Sequence, residues 1–270
     1  MNFIFKFLLN LVNLIGIHIN IDYSSNKEEV ISFINKVWPK TTNFKLIRIG
    51  PQGDGGYLVP DDLDNIEACF SPGVDIISDF ELDCYKKGMQ IFLADKSVDK
   101  PNLKIPEDQY HFIKKFIGTI NNEDFITMDS WVDSVNISKD SDLLLQMDIE
   151  GHEYSSLLNT SASLMNRFRI IVIEFHDMHK LWNKEFLRQA QSVFLKILDS
   201  HQCVHIHPNN CCGIDNRRGV EIPRVAEFTF IRKDRVKALS NATEFPHQLD
   251  FDNNEEKTIK LPEGWYQKPV

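Results

Sequence analysis

A run of apolar residues that ends abruptly in an acidic cluster constrains this chain more than any other feature. Residues 143–147 read LLLQM and residues 148–153 read DIEGHE. A short, nearly continuous apolar run is typical of a strand buried on both faces, as in a parallel sheet covered by helices. Such strands deliver the residues at their carboxyl ends to a ligand crevice. The stretch therefore predicts a central strand ending at a site that contains Asp148 and His152.

A second apolar run ends in the same way. Residues 169–174 read RIIVIE, and Glu174 is followed closely by His176. Because the carboxyl ends of parallel strands meet at one edge of a sheet, we expect the two polar groups to converge. The alternative is that each histidine is an ordinary structural residue, and that Glu150 and Glu153 only favour a helix N-terminus, which carries a partial positive charge.

Residues 66–95 have the order of a mononucleotide-binding unit. A strand is predicted over 66–70, a helix follows the turn SPG and ends at Gly88, and a second strand over 91–94 ends at Asp95. An acid roughly 20 residues beyond such a turn is placed to accept hydrogen bonds from ribose hydroxyls. The sequence has no GxGxxG, which disfavours a nicotinamide cofactor.

The loop GDGG at 53–56 has two interpretations. Its backbone amides can approach a ligand closely, or its Asp-Gly pair can form the turn of a hairpin whose return strand is Tyr57 to Val59. The sequence leaves both open.

Residues 203–207, CVHIH, and 226–232, AEFTFIR, alternate in polarity and predict a half-exposed antiparallel edge of the sheet. His205 and His207 would project from one face. Their spacing suits a metal, but no third ligand accompanies them.

The N-terminal residues 1–21 are apolar with a narrow stripe of asparagines and one lysine at helical spacing. Three interpretations stay open: a packing or dimerisation helix, an anchor on a membrane surface, and an export or spanning segment. A second helix is predicted over 27–38 and is stopped by Pro39.

Composition excludes one class of partner and indicates a compartment. The 270 residues carry a net charge of −9 and no clustered basic run, which argues against a nucleic-acid surface. The five cysteines form no CxxC pair and have irregular spacing, which favours a reducing, cytoplasmic compartment, with peripheral contact at the inner membrane face as a further possibility. We expect an N-terminal helical extension over 1–43, a catalytic domain over 44–235 and a tail over 236–270 that packs on the domain.

Together these residues resemble the FkbM-like family of S-adenosylmethionine-dependent methyltransferases. The similarity covers roughly Arg48 to Arg232, and LLLQMDIEGHEY is its most specific part. The stretches IIVIEFH, ACFSPGV and Thr127 to Asp129 match less specifically. The resemblance implies an α/β fold with a Rossmann-like seven-stranded, mostly parallel sheet, a late antiparallel strand and helices on both faces. The DGGYLVP loop and the HIHPNN to PRVAEFTFIR stretch resemble a branch of the family associated with O-methylation of sugars and cell-surface glycans.

The resemblance also implies roles for individual residues. Ser71, Gly73 and Val74 would line the methionine end of the cofactor, with Glu81 nearby. Asp95 would hold the ribose hydroxyls. The remaining predicted cofactor residues are Asp129, near the adenine, and Asp54, which we place at the amino group of the cofactor. The SPGV turn departs from the more glycine-rich loop that is common in the family.

Methyl transfer to a hydroxyl requires alignment of the two reactants and removal of one proton. Asp148, His152 and His176 are the candidate general bases. A divalent metal held by Asp148 with Glu174 or His176 is the alternative. The expected activity is thus O-methylation of a saccharide or glycan precursor. Competing functions are methylation of another polyhydroxylated or lipid-linked acceptor, a non-catalytic scaffold with the same fold, and a nucleotide-sugar or nicotinamide enzyme.

Overall fold

The computed structural model describes residues 23–74, 77–237 and 239–268. The described residues contain six α-helices: α1 (Lys27–Lys36), α2 (Asp79–Lys86), α3 (Met128–Asp133), α4 (Glu153–Asn159), α5 (Ala162–Met165) and α6 (Lys184–Ser200). Short 3-10 segments lie at Glu107–Gln109, Met178–Trp182, Lys233–Arg235 and Glu263–Trp265.

Fifteen strands are found in the same ranges. They are β1 (Lys40–Thr41), β2 (Leu46–Ile49), β3 (Tyr57–Pro60), β4 (Ala68–Pro72), β5 (Gln90–Ala94), β6 (Tyr110–Ile113), β7 (Phe116–Ile117), β8 (Phe125–Ile126), β9 (Leu143–Met147), β10 (Phe168–Phe175), β11 (His201–Pro208), β12 (Ile214–Arg217), β13 (Val220–Pro223), β14 (Ala226–Arg232) and β15 (Ser240–Asn241).

Seven of these strands form one sheet in the order β11-β14-β10-β9-β4-β5-β6. All neighbouring pairs from β10 to β6 are parallel, and β14 is antiparallel to β10 and to β11. The prediction of an α/β chain with a seven-stranded, mostly parallel sheet is confirmed. The chain winds outward in opposite directions from β4 and β9, so a crevice opens between the carboxyl ends of these two strands.

Strand β10 shows how the sheet divides the core into two layers. Ile171, Ile173 and Phe175 point into one apolar cluster, and Ile170 and Val172 point into the other. This is the two-residue alternation of an extended chain. The first layer contains residues of α1, α3, α4 and α6, and the second contains residues of α2 and of the β2–β3 hairpin. Both faces of the sheet are therefore covered.

The aromatic centre of the first layer fixes α6 and α1 on the sheet. Phe194 of α6 is 1% exposed, and its ring lies 5.1 Å from Phe33, 4.5 Å from Phe175 and 5.3 Å from Phe228, between ring centroids. Truncation of a phenylalanine in such a setting costs about 3–5 kcal/mol. Because Phe33 belongs to α1, the helix predicted over 27–38 is part of the core and begins and ends within two residues of the prediction.

The half-exposed edge predicted for the last two strands is wrong. Strands β11 and β14 pair as expected, but β14 lies inside the sheet between β10 and β11, and its first six residues are buried. Strand β11 is also buried along nearly its whole length. The alternating polar residues of both strands face packed side chains of the hairpin and the tail, which a sequence pattern does not reveal.

The remaining segments complete the fold around the sheet. The GDGG loop joins β2 and β3 as the turn of an antiparallel hairpin. Cysteines 69, 84, 203, 211 and 212 are all free. Residues 1–21, for which we predict a packing, membrane-surface or export segment, lie outside the described residues. In the part of the chain that is described, no helix is both long enough and apolar enough to cross a membrane.

A buried histidine makes the stability of this fold depend on pH. His201 is fully buried, with Nε2 2.6 Å from the carbonyl oxygen of Phe168 and Nδ1 2.8 Å from the hydroxyl of Ser200. A carbonyl only accepts, so Nε2 carries the proton and neutral Nδ1 accepts from Ser200. Burial lowers the pKa of His201 from 6.5 to about 4.

We predict that the fold loses stability as the pH falls from 7 to 5, because the unfolded chain then binds a proton at His201 that the folded chain excludes. The contribution of this group is about 2 kcal/mol over that interval. Urea unfolding of the wild type and of His201→Gln measures it. The stability of the wild type relative to the variant should fall by that amount at pH 5, and an equal difference at both pH values would contradict the assignment.

Candidate functional site

A cleft of about 630 Å³ opens at the carboxyl ends of the central strands. Its volume is in the range of small-molecule sites. The lining residues are Asp54, Gly73, Val74, Ala94, Asp95, Ser97, Phe116, Ile117, Phe125, Asp148, Ile149, Glu150, His152, Glu174, His176, Asn209, Cys211, Cys212, Asn253 and Asn254. Five of these described residues are carboxylates, and none is a lysine or arginine. The lining side chains therefore carry a formal excess of acidic groups.

The floor of the cleft is a close approach between the ends of β4 and β9. Gly73 has φ +91°, and a Cβ atom at this position would lie 1.4 Å from the carbonyl oxygen of Asp148. The amide of Asp148 donates to the carbonyl of Pro72 at 3.2 Å. Only glycine combines this backbone conformation with this contact. The predicted turn after the first strand is therefore in direct contact with the predicted catalytic strand end.

His176, at the end of β10, is oriented by a buried carboxylate. Its Nδ1 lies 3.1 Å from Oε1 of Glu153, and that oxygen also accepts from the amides of Ile149 at 3.2 Å and Gly151 at 3.0 Å. Glu153 is fully buried. Because a carboxylate oxygen accepts and does not donate, Nδ1 carries the proton and Nε2 faces the cleft.

Three more carboxylates surround Nε2 of His176. The distances to Nε2 are 3.3 Å from Oε2 of Glu150, 3.6 Å from Oε1 of Glu174 and 3.9 Å from Oδ1 of Asp148. Burial opposes protonation of His176, but the hydrogen bond and charge of Glu153 and the charges of Asp148 and Glu150 outweigh it and raise its pKa to about 9. The imidazole is the cation of this cluster.

Burial and crowding of like charges also raise the affinity of the carboxylates for protons. Burial and the charges of Glu150, Glu153 and Asp54 raise the pKa of Asp148 to about 7, against the opposing effect of His176. Burial and the charges of Asp148, Glu227 and Asp54 raise the pKa of Glu174 well above its ordinary value. The raised pKa values of Asp148 and Glu174 mean that burial and mutual repulsion favour their protonated forms.

Three buried oxygens of the cluster have no hydrogen-bond partner. One is Oε2 of Glu153, and the other two, Oδ1 of Asp148 and Oε2 of Glu174, belong to residues that line the cleft. The other oxygen of Glu174 accepts from the amide of Asn209 at 3.1 Å. Buried polar atoms are normally satisfied, and an orphaned pair at the bottom of a cleft points to a bound group.

A neighbouring buried network supports the floor from behind. The Ser71 hydroxyl lies 2.5 Å from Oε1 of Glu81 and 2.6 Å from Oε1 of Gln146, whose amide donates to the Tyr57 hydroxyl at 3.2 Å. Burial raises the pKa of Glu81. A hydroxyl has one proton to donate, so Ser71 donates to one of these two oxygens at a time. This network holds β4, β9 and α2 together.

The far end of the cleft combines one carboxylate with an apolar wall. Asp95 follows β5, and its Oδ1 accepts from the amide and the hydroxyl of Ser97 at 2.6 and 2.7 Å. Phe116, Ile117 and Phe125 form the wall, with 5.7 Å between the centroids of the two rings. A flat apolar group would be enclosed here beside an acceptor of hydrogen bonds.

The C-terminal tail closes the opposite side. Asn253 donates to Oδ1 of Asp54 at 3.3 Å and to Oε1 of Glu227 at 2.8 Å. The adjacent Asn254 is tied to Asn210, whose side-chain amide donates to the carbonyls of Asn254 and Glu256. The tail is therefore a wall of the site, connected by polar contacts to the hairpin loop and to β14.

The structure brings together most of the predicted site residues. Seven of them line the large cleft with Glu174: Asp54, Gly73, Val74, Asp95, Asp148, His152 and His176. Glu81 lines a smaller adjoining cleft that shares Asp54, Gly73 and Asp148. Ser71 is buried beneath the floor and lines neither. His152 is exposed at the rim and lies outside the contacts that surround His176.

Two predicted sets of residues lie elsewhere. Asp129 does not line the cleft, and its Oδ2 accepts from the amide of Ser161 at 2.9 Å at the start of α5. His205 and His207 point away from the cleft toward Asp250, with Nε2 of His205 2.8 Å from its Oδ1 and Nδ1 of His207 3.7 Å from its Oδ2. They anchor the tail to β11.

Sequence reasoning missed the apolar wall and the asparagines. Phe116 and Phe125 lie on β7 and β8, strands of two residues each, too short for a periodic signal. Asn209 follows the predicted strand in the HPNNCC stretch. Its position one residue beyond the end of β11 is the feature that could have identified it as a site residue. Asn253 comes from a tail with no pattern, so only the folded chain reveals it.

Neither a scan of the chain against protein-family models nor a search among curated proteins found a match. The resemblance to methyltransferases therefore rests on the sequence motifs.

We predict that Gly73→Ala destabilises the fold by at least about 3 kcal/mol, because the ends of β4 and β9 must separate to admit a methyl group. Gly88→Ala is the matched control: Gly88 has φ +89° and no heavy atom within 4 Å of its Cβ position. The control should lose only about 1–2 kcal/mol from its backbone conformation. Urea unfolding compares the two, and equal losses would show that Gly73 is not a close contact.

Proposed function

We propose that the chain is an S-adenosylmethionine-dependent O-methyltransferase of the FkbM-like kind, acting on a hydroxyl of a saccharide or glycan precursor. The observation that carries this proposal is the direct contact between Gly73 and Asp148 at the reversal of strand order, with Asp95 and the apolar wall on one side and the carboxylate–imidazole cluster on the other. The strand order, with a single antiparallel strand between β10 and β11, agrees with the sheet expected for such methyltransferases.

The residues of the cleft fit the three parts of this cofactor. S-adenosylmethionine supplies a methyl group on a sulfonium, a leaving group that makes the methyl carbon electrophilic. Asp95 is placed to accept hydrogen bonds from the ribose, and the wall of Phe116 and Phe125 is suited to the adenine ring. The amino-acid end would lie above the contact between Gly73 and Asp148, where its ammonium matches the carboxylates of Asp54 and Asp148.

The acceptor is assigned to the side of the cleft bounded by the cluster and the tail. Asn209, Asn253 and Asn254 offer amide groups there, which suit the many hydroxyls of a sugar. The acceptor hydroxyl would lie beside Asp148 and His176 at the ends of β9 and β10, where Oδ1 and Nε2 are 3.9 Å apart. Asp148 would accept the proton of the hydroxyl, and the protonated imidazole of His176 would donate a hydrogen bond that orients it. His152, exposed at the rim, is the weakest of the three predicted bases.

We predict that S-adenosylhomocysteine binds to the purified protein with micromolar affinity, measured by calorimetric titration, and that Asp95→Ala weakens binding by about 1–3 kcal/mol through the loss of charge-assisted hydrogen bonds. This is a change of about 5- to 150-fold in Kd. Asp99→Ala is the control, since Asp99 is nearby but its side chain is 94% exposed outside the cleft. Failure of the wild type to bind would favour the scaffold function, and binding of a nicotinamide dinucleotide instead would favour a dehydrogenase.

We further predict that His176→Gln retains the affinity for S-adenosylhomocysteine and loses methyl transfer. Glutamine can keep the contact with Glu153 but offers no imidazole nitrogen to the cleft. Transfer from methyl-labelled S-adenosylmethionine to a panel of saccharides measures the activity. An equal loss of cofactor affinity would place His176 at the cofactor and not at the acceptor.

A further inference from the structure

We propose that Asp148, Glu174 and His176 form a binding site for one divalent cation of the manganese or magnesium type. One atom of each residue, two carboxylate oxygens and an imidazole nitrogen, lies within 4.8 Å of the other two. An octahedral ion with bonds of about 2.1 Å holds neighbouring ligand atoms about 3 Å apart and opposite ones about 4.2 Å apart. The three groups therefore need only a small contraction to share an ion, and an ion would drive it by neutralising their repulsion.

The strongest evidence is the buried, unpartnered oxygen of Glu174. The side chain is 6% exposed, lines the cleft and leaves Oε2 without a hydrogen bond, while Oε1 is held by Asn209. Oδ1 of Asp148, which lies 3.9 Å from Nε2 of His176, is a second buried oxygen without a hydrogen bond. A buried carboxylate oxygen without a partner is costly unless a cation or a donor completes it.

The surroundings of His176 have the arrangement that metal-binding histidines share. A ligating imidazole donates its other ring N–H to a carboxylate, which fixes the tautomer and the ring orientation. Glu153 is that carboxylate: it is fully buried, its Oε1 is 3.1 Å from Nδ1, and the same oxygen is held by the Ile149 and Gly151 amides. An ion bound here would displace the proton of Nε2, and the freed lone pair would lie on the side of Asp148 and Glu174.

The remaining neighbour leaves room for the ion to enter. Glu150 contacts Nε2 of His176 at 3.3 Å, but its side chain is 85% exposed and can swing into solvent or join the ion as a further ligand. The two carboxylates are hard donors that suit manganese and magnesium, and the imidazole, a borderline donor, favours manganese of the two. A cation here would also lower the pKa of an acceptor hydroxyl bound to it. That consequence rests on the proposed function, whereas the binding of the ion does not.

The test is a titration of the chelator-treated full-length protein with Mn²⁺, in which electron paramagnetic resonance counts the free aquo ion. We expect one bound ion per chain, with a spin-echo signal from a single coordinated imidazole nitrogen. Glu174→Gln and Asp148→Asn, which change charge but not shape, should each weaken binding about tenfold or more. Binding by neither the wild type nor the variants, or equal binding by all of them, would overturn the site.

Asp95→Asn separates this site from the cofactor site. It should bind Mn²⁺ like the wild type and lose affinity for S-adenosylhomocysteine, and Glu174→Gln should show the opposite pattern. Loss of Mn²⁺ binding in Asp95→Asn would refute the assignment of ligands. Near-ultraviolet circular dichroism confirms that each variant is folded, and the absence of an imidazole signal in the wild-type complex would by itself exclude His176. If Mn²⁺ binds but S-adenosylhomocysteine does not, the methyltransferase proposal fails and the metal site stands.

Discussion

The contact between Glu153 and His176 is the interaction on which the site depends. One oxygen of a fully buried carboxylate accepts from two amides of the turn after β9 and from the imidazole at the end of β10. It therefore joins the two central strand ends and sets the direction of the imidazole at the same time. Removal of one partner from such a buried pair leaves an uncompensated polar group, which is strongly destabilising. The arrangement of the cleft follows from this one carboxylate.

Carboxylates at the two ends of the central strands have different partners. At the amino ends of the strands, Asp142 lies 2.6 Å from Arg169 and Asp62 lies 2.7 Å from Arg235, so each carboxylate has a permanent positive partner. At the carboxyl ends, four carboxyl groups lie within 4 Å of the imidazole of His176. Paired acids stabilise a fold, whereas crowded acids do so poorly and raise one another's pKa. A ligand that completes the charge balance would bind at the carboxyl ends of the strands.

Parts of the chain outside the predicted catalytic domain belong to the fold and to the site. Helix α1 falls within the predicted extension over 1–43, yet Val30, Phe33 and Ile34 are buried in the main core. The tail buries Trp265 and places Asn253 beside Asp54 and Glu227. The described residues of both segments thus form one packed unit with the sheet, and the tail shapes the side of the cleft that we assign to the acceptor.

The sequence by itself determined the central strands and the residues at their ends. A buried strand is a continuous apolar run, and the polar residues that follow it can be read directly in the sequence. Asp95, Asp148, Glu174 and His176 were found in this way, and the order of the elements indicated a mononucleotide-binding unit, whereas the seven-stranded sheet was implied by the family resemblance. Only the tertiary structure decided the orientation of His176 by Glu153, the burial of Ser71 beneath the floor, and the walls supplied by Phe116, Phe125 and Asn253. These depend on contacts between residues far apart in the chain, and local periodicity carries no information about such contacts.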